Sequence, residues 1–190
     1  MRWDALFNDL EAQFEEGDKL SVEAEIAERS RVEAAGAGVA DRLRGSVGTL
    51  VKVHVESGAI FEGTLTYAGA DAFVLNDKRN QVLIPHSAVS RYAGLGRFSL
   101  GEPSVVRSRI GLSNALRALA RDRSELTVIL RDTNVLESGV TGVIDRVGLD
   151  YIDLADVRPG ESRRALQVRQ VSTIPFSALA AIRSPYVGEL

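Results

Sequence analysis

The chain offers few side chains that could support catalysis or hold a metal ion. It contains no cysteine, which excludes disulfide bonds, thiolate zinc sites and cysteine nucleophiles. Of its two histidines, His54 lies in a predicted strand and is expected to be a packing or surface residue. His86 lies in a predicted turn, close in sequence to Arg91 and Tyr92. We expect His86 to serve either a structural role or base stacking in a nucleic-acid site.

Acidic and hydroxyl side chains do not add a catalytic site. Four aspartates in the second half of the chain resemble a cluster: Asp145, Asp150, Asp153 and Asp156. A predicted hairpin divides them among strand, turn and loop positions, so a solvated face is expected. Ser87 and Ser177 have no base beside them, and the glycines match no nucleotide-binding fingerprint. We therefore predict no enzyme, no catalytic residue, no cofactor, no metal and no small-molecule substrate.

A basic segment lies within an acidic chain. Residues 96–125 hold 6 basic and 3 acidic side chains, although the whole chain has a net charge of −3. The apolar period predicts a helix over 104–122, capped by Ser104. Its face opposite the apolar stripe presents Arg107, Arg117 and Arg121. This face could bind nucleic-acid phosphates, act as a solubilising surface, or pair with the 11 acidic side chains of residues 1–45.

The start of the chain has a helical apolar stripe. Its members follow the spacing i, i+3, i+4, i+7 and i+11, which is typical of one helix face. They are Trp3, Leu6, Phe7, Leu10 and Phe14. We expect this face to pack on the chain's own β-structure, or to bind a protein partner or a second copy of the chain.

The sequence shows no sign of membrane insertion. No stretch approaches the ~18 uncharged apolar residues of a membrane-spanning helix. Asp4 and Asp9 interrupt the start of the chain, which therefore lacks the apolar run of a signal peptide. We expect a cytoplasmic protein with no membrane partner.

Beyond Gly48 the apolar period changes from that of a helix to that of a strand. Five short runs separated by turn residues follow, as is typical of a small antiparallel barrel. They begin at Leu50, Ile60, Ala72, Val82 and Val89. The pattern returns at Leu126, after the predicted arginine-rich helix.

Two sets of landmarks occur twice in the same order, which indicates an internal duplication. Residues 63–75 align without gaps on residues 142–154, 79 positions later, and share two glycines, an aspartate and apolar positions. Residues 84–89 align on residues 174–179, 90 positions later. The second copy thus has 11 extra residues, and we place them in a longer loop around 157–164, between its third and fourth strands.

Residues 50–65 (LVKVHVESGAIFEGTL) resemble the first motif of the Sm-like family. In that family a strand, a turn glycine and a bent second strand with an internal glycine precede a turn that contains aspartate. The resemblance covers residues 40–95 and, more weakly, 104–183. It implies five-stranded barrels that are each preceded by a helix, bind RNA, and assemble into rings through their fourth and fifth strands.

The sequence departs from the family at the RNA pocket. The family's asparagine after the third-strand turn is absent, and Phe73 and Ile152 lie in its neighbourhood. The turn before the last strand keeps a likeness to the family only at His86, which Phe176 replaces in the second copy. The family's uridine-binding residues therefore do not carry over as a set. A linked pair of repeats could also satisfy some assembly edges within one chain.

The sequence as a whole predicts a mostly β protein with helices, built as two tandem five-stranded Sm-like barrels that are each preceded by a helix. The expected order is an acidic amphipathic helix (1–45), a first barrel (46–98), a linker with an arginine-rich helix (99–124) and a second barrel (125–190).

Two functions remain open at this point. The first is non-enzymatic RNA binding, with contacts from His86, Arg91, Arg107, Arg117 and Arg121. The second is protein assembly, in which the N-terminal stripe and the barrel edges bind a protein partner or form a homo-oligomer.

Overall fold

The computed structural model describes residues 24–25, 28–29, 31–32, 35–77, 79–102, 104, 110–132, 139–156 and 170–185. The chain divides into two units, Met1–Gly38 and Val39–Leu190. The described residues between 24 and 36 are helical and exposed. The predicted stripe of Trp3, Leu6, Phe7, Leu10 and Phe14 lies outside the described residues.

Five antiparallel strands form the first half of the second unit, and we call them the first repeat. They are β1 (Leu50–Val55), β2 (Ile60–Ala68), β3 (Ala72–Asp77), β4 (Asn80–Pro85) and β5 (Val89–Ala93). In β1, Val51, Val53 and Val55 are buried while Leu50 and Lys52 are exposed, so strand alternation defines the inner face. A short 3₁₀ turn, His86–Ala88, connects β4 to β5.

The second repeat has the same order of strands. They are β6 (Leu126–Leu130), β7 (Val140–Val147), β8 (Tyr151–Asp156), β9 (Val171–Pro175) and β10 (Leu179–Pro185). Phe73 pairs with Ile84 in the first repeat, and Ile152 pairs with Ile174 in the second. The pairing thus follows the offsets of 79 and 90 expected from the sequence. The extra residues fall between β8 and β9, as expected, and residues 157–169 lie outside the described part.

The ten described strands form one unclosed sheet in the order β5-β1-β2-β3-β4-β10-β6-β7-β8-β9. The prediction of a mostly β protein with helices is therefore confirmed, but the prediction of two separate barrels is wrong. The reason is that β10 pairs on one edge with β6 of its own repeat and on the other with β4 of the first repeat. This second pairing, which we call the internal junction, joins the two repeats edge to edge.

The hydrophobic cores also cross the internal junction. Ile129, Ala180 and Ala181 of the second repeat are buried in the core of the first repeat. In return, Ala72 and Leu83 of the first repeat are buried in the core of the second. Because each repeat completes the other's core, we expect the two repeats to fold as one cooperative body.

Two α-helices are described in the second unit, α1 (Val39–Arg44) before β1 and α2 (Leu112–Asp122) before β6. The predicted start of α2 at Ser104 is wrong, because Ile110 and Gly111 are not helical and the helix begins at Leu112. Its first amide is capped from outside the segment, by Asp71, which accepts a hydrogen bond from Leu112 N at 2.6 Å. No helix within the described residues is long and apolar enough to span a membrane.

Candidate interaction surfaces

The turn between the second and third strands has the same backbone geometry in both repeats. Gly69 N donates to Ala72 O at 2.8 Å in the first repeat, and Gly148 N donates to Tyr151 O at 2.8 Å in the second. The landmarks that revealed the repeat are therefore residues that build the same hydrogen-bonded turn twice.

The aspartate of each turn is fixed by its backbone, but its side chain is used differently. His86 N donates to Asp71 O at 2.8 Å, and Phe176 N donates to Asp150 O at 2.7 Å. Both aspartates are exposed, and the Asp71 carboxylate caps α2 through Leu112 N. Asp71 thus connects the first repeat to the helix that precedes the second repeat.

His86 is half-buried and held within the first repeat. Its Nδ1 lies 3.1 Å from the Tyr92 hydroxyl, and its Nε2 lies 3.3 Å from the Gly69 carbonyl oxygen. The ring also packs against Phe73, with ring centroids 5.4 Å apart. These contacts suit a structural role, and a contact of His86 with a base stays a prediction.

Burial controls the ionisation of this cluster. It lowers the pKa of His86 below its ordinary value, and this effect outweighs the Gly69 carbonyl and Asp71, which act to raise the pKa. Arg44 adds to the lowering. Burial also raises the pKa of Tyr92 to about 12, so the hydroxyl is protonated and can donate at neutral pH. In the second repeat Phe176 and Ile182 occupy the positions of His86 and Tyr92, so the polar cluster exists once.

The arginines predicted to face solvent on α2 do so where the structure describes them. Arg117 and Arg121 are exposed, one helical turn apart, and Arg117 Nη1 donates to Ser113 Oγ at 2.8 Å. Arg107 lies outside the described residues. Two of the three predicted arginines therefore share a surface that phosphate groups can reach.

Arg91 lies on a different surface, at the β5 end of the sheet. It is exposed, and its Nη2 lies 2.8 Å from His54 Nε2 on the paired strand β1. Lys52, on the same strand, forms an ion pair of 2.8 Å with Glu62. Arg91 is therefore not brought together with His86 or with the arginines of α2 into one site.

A polar network sits at the internal junction. Arg131, directly after β6, donates from Nη1 to Glu56 Oε2 at 3.1 Å and from Nη2 to Ser87 Oγ at 2.7 Å, both in the first repeat. Its Nε donates to Leu179 O at 3.2 Å in its own repeat. One guanidinium group thereby ties the two repeats together on this side of the sheet.

Arg131 and Glu56 occupy the same position of the two repeats, with opposite charges. Glu56 N donates to Ala88 O at 2.9 Å, and Arg131 N donates to Ala178 O at 3.0 Å. The equivalence follows the repeat offsets, from 56 to 131 and from 88 to 178. The repeat offset shows that the two positions are equivalent, but it does not indicate that their side chains meet.

The two strands at the ends of the described sheet are polar where the internal junction is apolar. Repeat offsets place His54, Ser90 and Arg91 on the β5 end at the positions of the buried Ile129, Ala180 and Ala181. At the β9 end, Tyr151 and Thr173 replace the buried Ala72 and Leu83.

The two ends also differ in charge. Strands β1 and β5 contain Lys52 and Arg91 and no acidic residue. Strands β8 and β9 contain Asp153 and Asp156 and no basic residue. The strands near the two ends thus carry side chains of opposite charge, although Lys52 is already paired with Glu62 of the same chain.

No group of three histidine, aspartate or glutamate side chains in the described residues is placed to hold a metal ion. Compared with known protein families and with curated proteins, the chain matches none of them.

Proposed function

We propose that this protein is a non-enzymatic assembly module whose copies join head to tail through the terminal strands of the sheet. The observation that supports this most directly is the internal junction, in which β4 pairs with β10. Their repeat equivalents are β9 and β5, the two strands at the ends of the described sheet. The same pairing can therefore recur between chains, with β9 of one copy against β5 of the next.

The repeat predicts the register of this contact between copies. At the internal junction Val82 faces Arg183 across β4 and β10. The offset of 90 turns this pair into Ser172 on β9 and Ala93 on β5 of the next copy. Contacts of this heterologous kind generate either a closed ring or an open filament, depending on the rotation at each junction.

We further propose that each repeat is an Sm-like unit. The support is the repeated combination of a helix, five antiparallel strands, and a glycine inside the second strand at Gly63 and Gly142. Assembly through fourth and fifth strands is what the Sm-like resemblance implies, and β9 and β5 are strands of those two kinds.

The proposed association is reversible, because its surfaces are polar. The internal junction buries apolar side chains, whereas the terminal strands offer hydrogen-bonding edges, with Arg91 on β5 and with Asp153 and Asp156 on β8 beside β9. Interfaces with polar cores are weaker than obligate ones, and exposed charges lose attraction as salt rises. We expect the mass of the assembly to rise with protein concentration and to fall with salt.

Engineered cysteines test the contact, because the chain has no cysteine of its own. Chains carrying Ser172→Cys are mixed with chains carrying Ala93→Cys and oxidised. A disulfide-linked dimer is expected, since residues that face each other on paired strands bring their Cβ atoms close together. A single chain with Val82→Cys and Arg183→Cys is the matched positive control, because these residues already face each other across the internal junction.

A second pair tests the register. Ser90 lies three positions from Ala93 on β5, so Ser172→Cys mixed with Ser90→Cys should not link efficiently. Equal yields from the two mixtures would indicate random collision. No link between Ser172→Cys and Ala93→Cys at a concentration where the mass shows self-association would reject this junction.

The second candidate function is RNA binding, which the exposed pair Arg117 and Arg121 favours. Phosphate contacts by these arginines would give an affinity for single-stranded RNA that falls with salt. We expect Arg117→Ala with Arg121→Ala to weaken binding, while Arg146→Ala, on the exposed part of β7, has little effect. No binding at micromolar protein and about 50 mM salt would reject this function.

A further inference from the structure

We infer that Glu56 and Arg131 select the head-to-tail order of the assembly, each Arg131 holding Glu56 of its own chain and Glu56 of the next copy. This inference rests on the assembly proposed above. It begins from the fact that the two residues occupy one position of the repeat and carry opposite charges.

The internal junction displays half of this arrangement. Arg131 of the second repeat reaches Glu56 and Ser87 of the first repeat. The exposed fraction of the Glu56 side chain is 54%, against 24% for Arg131. Glu56 therefore keeps room for a second cation beyond the one it already meets.

The contact between copies would repeat the pattern with the charges exchanged. The incoming first repeat brings Glu56 to the place that Arg131 takes at the internal junction. The receiving second repeat offers Arg131 and Ser177, the repeat equivalents of Glu56 and Ser87. A serine hydroxyl suits both junctions, because it accepts from a guanidinium at Ser87 and can donate to a carboxylate at Ser177.

This arrangement discriminates between orders of assembly. A first repeat against a second repeat always sets Glu56 against Arg131. Two first repeats or two second repeats in the same geometry would set like charges against each other, which disfavours the wrong contact. The pair thus disfavours contacts between like repeats and also attracts the first repeat of one copy to the second repeat of another.

A charge exchange tests the inference while keeping the internal pair. The double variant Glu56→Arg with Arg131→Glu retains opposite charges across its own internal junction. Between copies it matches itself but not the wild type, because both mixed contacts oppose like charges. We expect it to self-associate like the wild type and to join wild-type chains about tenfold less.

Single-cysteine chains report the contact. One chain carries Ser172→Cys and the other Ala93→Cys, in wild-type or exchanged background, and the disulfide yield is measured for matched and mixed backgrounds. A second exchange, Asp145→Arg with Arg146→Glu, makes the same change of charge on exposed residues of β7. Chains with that exchange should link to wild-type chains at the matched yield.

The outcomes separate the two proposals. Low yield in mixed backgrounds with high yield in both matched backgrounds supports the selection by Glu56 and Arg131. Equal yields in matched and mixed backgrounds overturn the selection and leave the β9–β5 contact standing. No link even between wild-type chains overturns the contact itself, and the selection with it.

Discussion

The first and second repeats share a hydrogen-bonded backbone but differ in the side chains placed on it. The turn at Gly69 recurs at Gly148, with the same hydrogen bond across it. Yet the first repeat has a cluster of His86, Tyr92 and Phe73, whereas the equivalent positions of the second repeat are all apolar. Glycine landmarks and strand registers thus preserve the fold, while the residues around them are free to diverge.

The same comparison separates the two kinds of junction. Where the repeats meet inside the chain, the contact is apolar and completes both cores. Where the sheet ends, the equivalent positions are polar, with Ser90 and Arg91 at the β5 end and Tyr151 and Thr173 at the β9 end. Equivalent strands therefore form an apolar contact at the internal junction and a polar edge at the ends of the sheet.

The largest effect is expected from the buried centre of each repeat. Phe73 and Ile152 are equivalent and fully buried. Truncation to Ala leaves a cavity, so we expect Phe73→Ala to lower the free energy of unfolding by about 3–5 kcal/mol and Ile152→Ala by about 2–5 kcal/mol. Denaturant titration followed by circular dichroism measures both.

The shape of these transitions tests the coupling of the repeats. Because each repeat supplies core residues to the other, both variants should shift one shared transition. Two separate transitions, only one of them moved by each variant, would contradict the shared body.

A smaller effect is expected at the glycines of the second strands. A Cβ at Gly63 would lie 2.6 Å from Asn76 O, and one at Gly142 would press on Ala155 O. Since a backbone carbonyl cannot move aside easily, we expect Gly63→Ala and Gly142→Ala each to cost about 1–3 kcal/mol. Gly101→Ala, where a Cβ meets nothing within 4 Å, is the matched control, and thermal melts compare the three. Equal stability of all three would count against a steric role.

Substitution of the two turn aspartates should lower the stability by different amounts, because only Asp71 caps a described helix. Asp71→Ala removes the acceptor for Leu112 N and should cost about 0.5–2 kcal/mol. Asp150→Ala, at an exposed position, should change stability by less than about 0.5 kcal/mol. Denaturation midpoints measure both, and Asp71→Asn, which keeps an acceptor, should fall between them. A cost at Asp150 equal to that at Asp71 would refute this asymmetry.

The strands and the duplication could be predicted from sequence, because both depend on local patterns. Alternation fixed β1, and the glycine and aspartate landmarks fixed the equivalence of the repeats. The joined sheet could not be predicted in this way, because Leu83 and Ile182 pair across a long stretch of chain. The start of α2 could not be predicted for the same reason, since the acceptor for Leu112 N is Asp71, 41 residues earlier in the chain.

Less of the candidate sites than of the fold could be predicted from the sequence. Charge along the chain indicated an exposed arginine face on α2, and Arg117 and Arg121 are exposed there. Nothing local indicated that Arg131 would meet Glu56, because that contact depends on how two sheet edges join.

The smallest expected effect is a difference in pH dependence between the repeats. Burial lowers the pKa of His86 in the folded protein, so the folded state binds a proton less readily than the unfolded state. The stability that comes from neutral His86 is present above the unfolded pKa of about 6.5 and is lost as pH falls through the folded value. His86→Phe, which copies Phe176 of the second repeat, should therefore flatten the fall in stability below about pH 6.5. Denaturation midpoints at several pH values measure this slope, and Phe176→Leu, which carries no titrating group, should leave the wild-type slope intact. An unchanged slope in His86→Phe would contradict this contribution of His86 to the acid response.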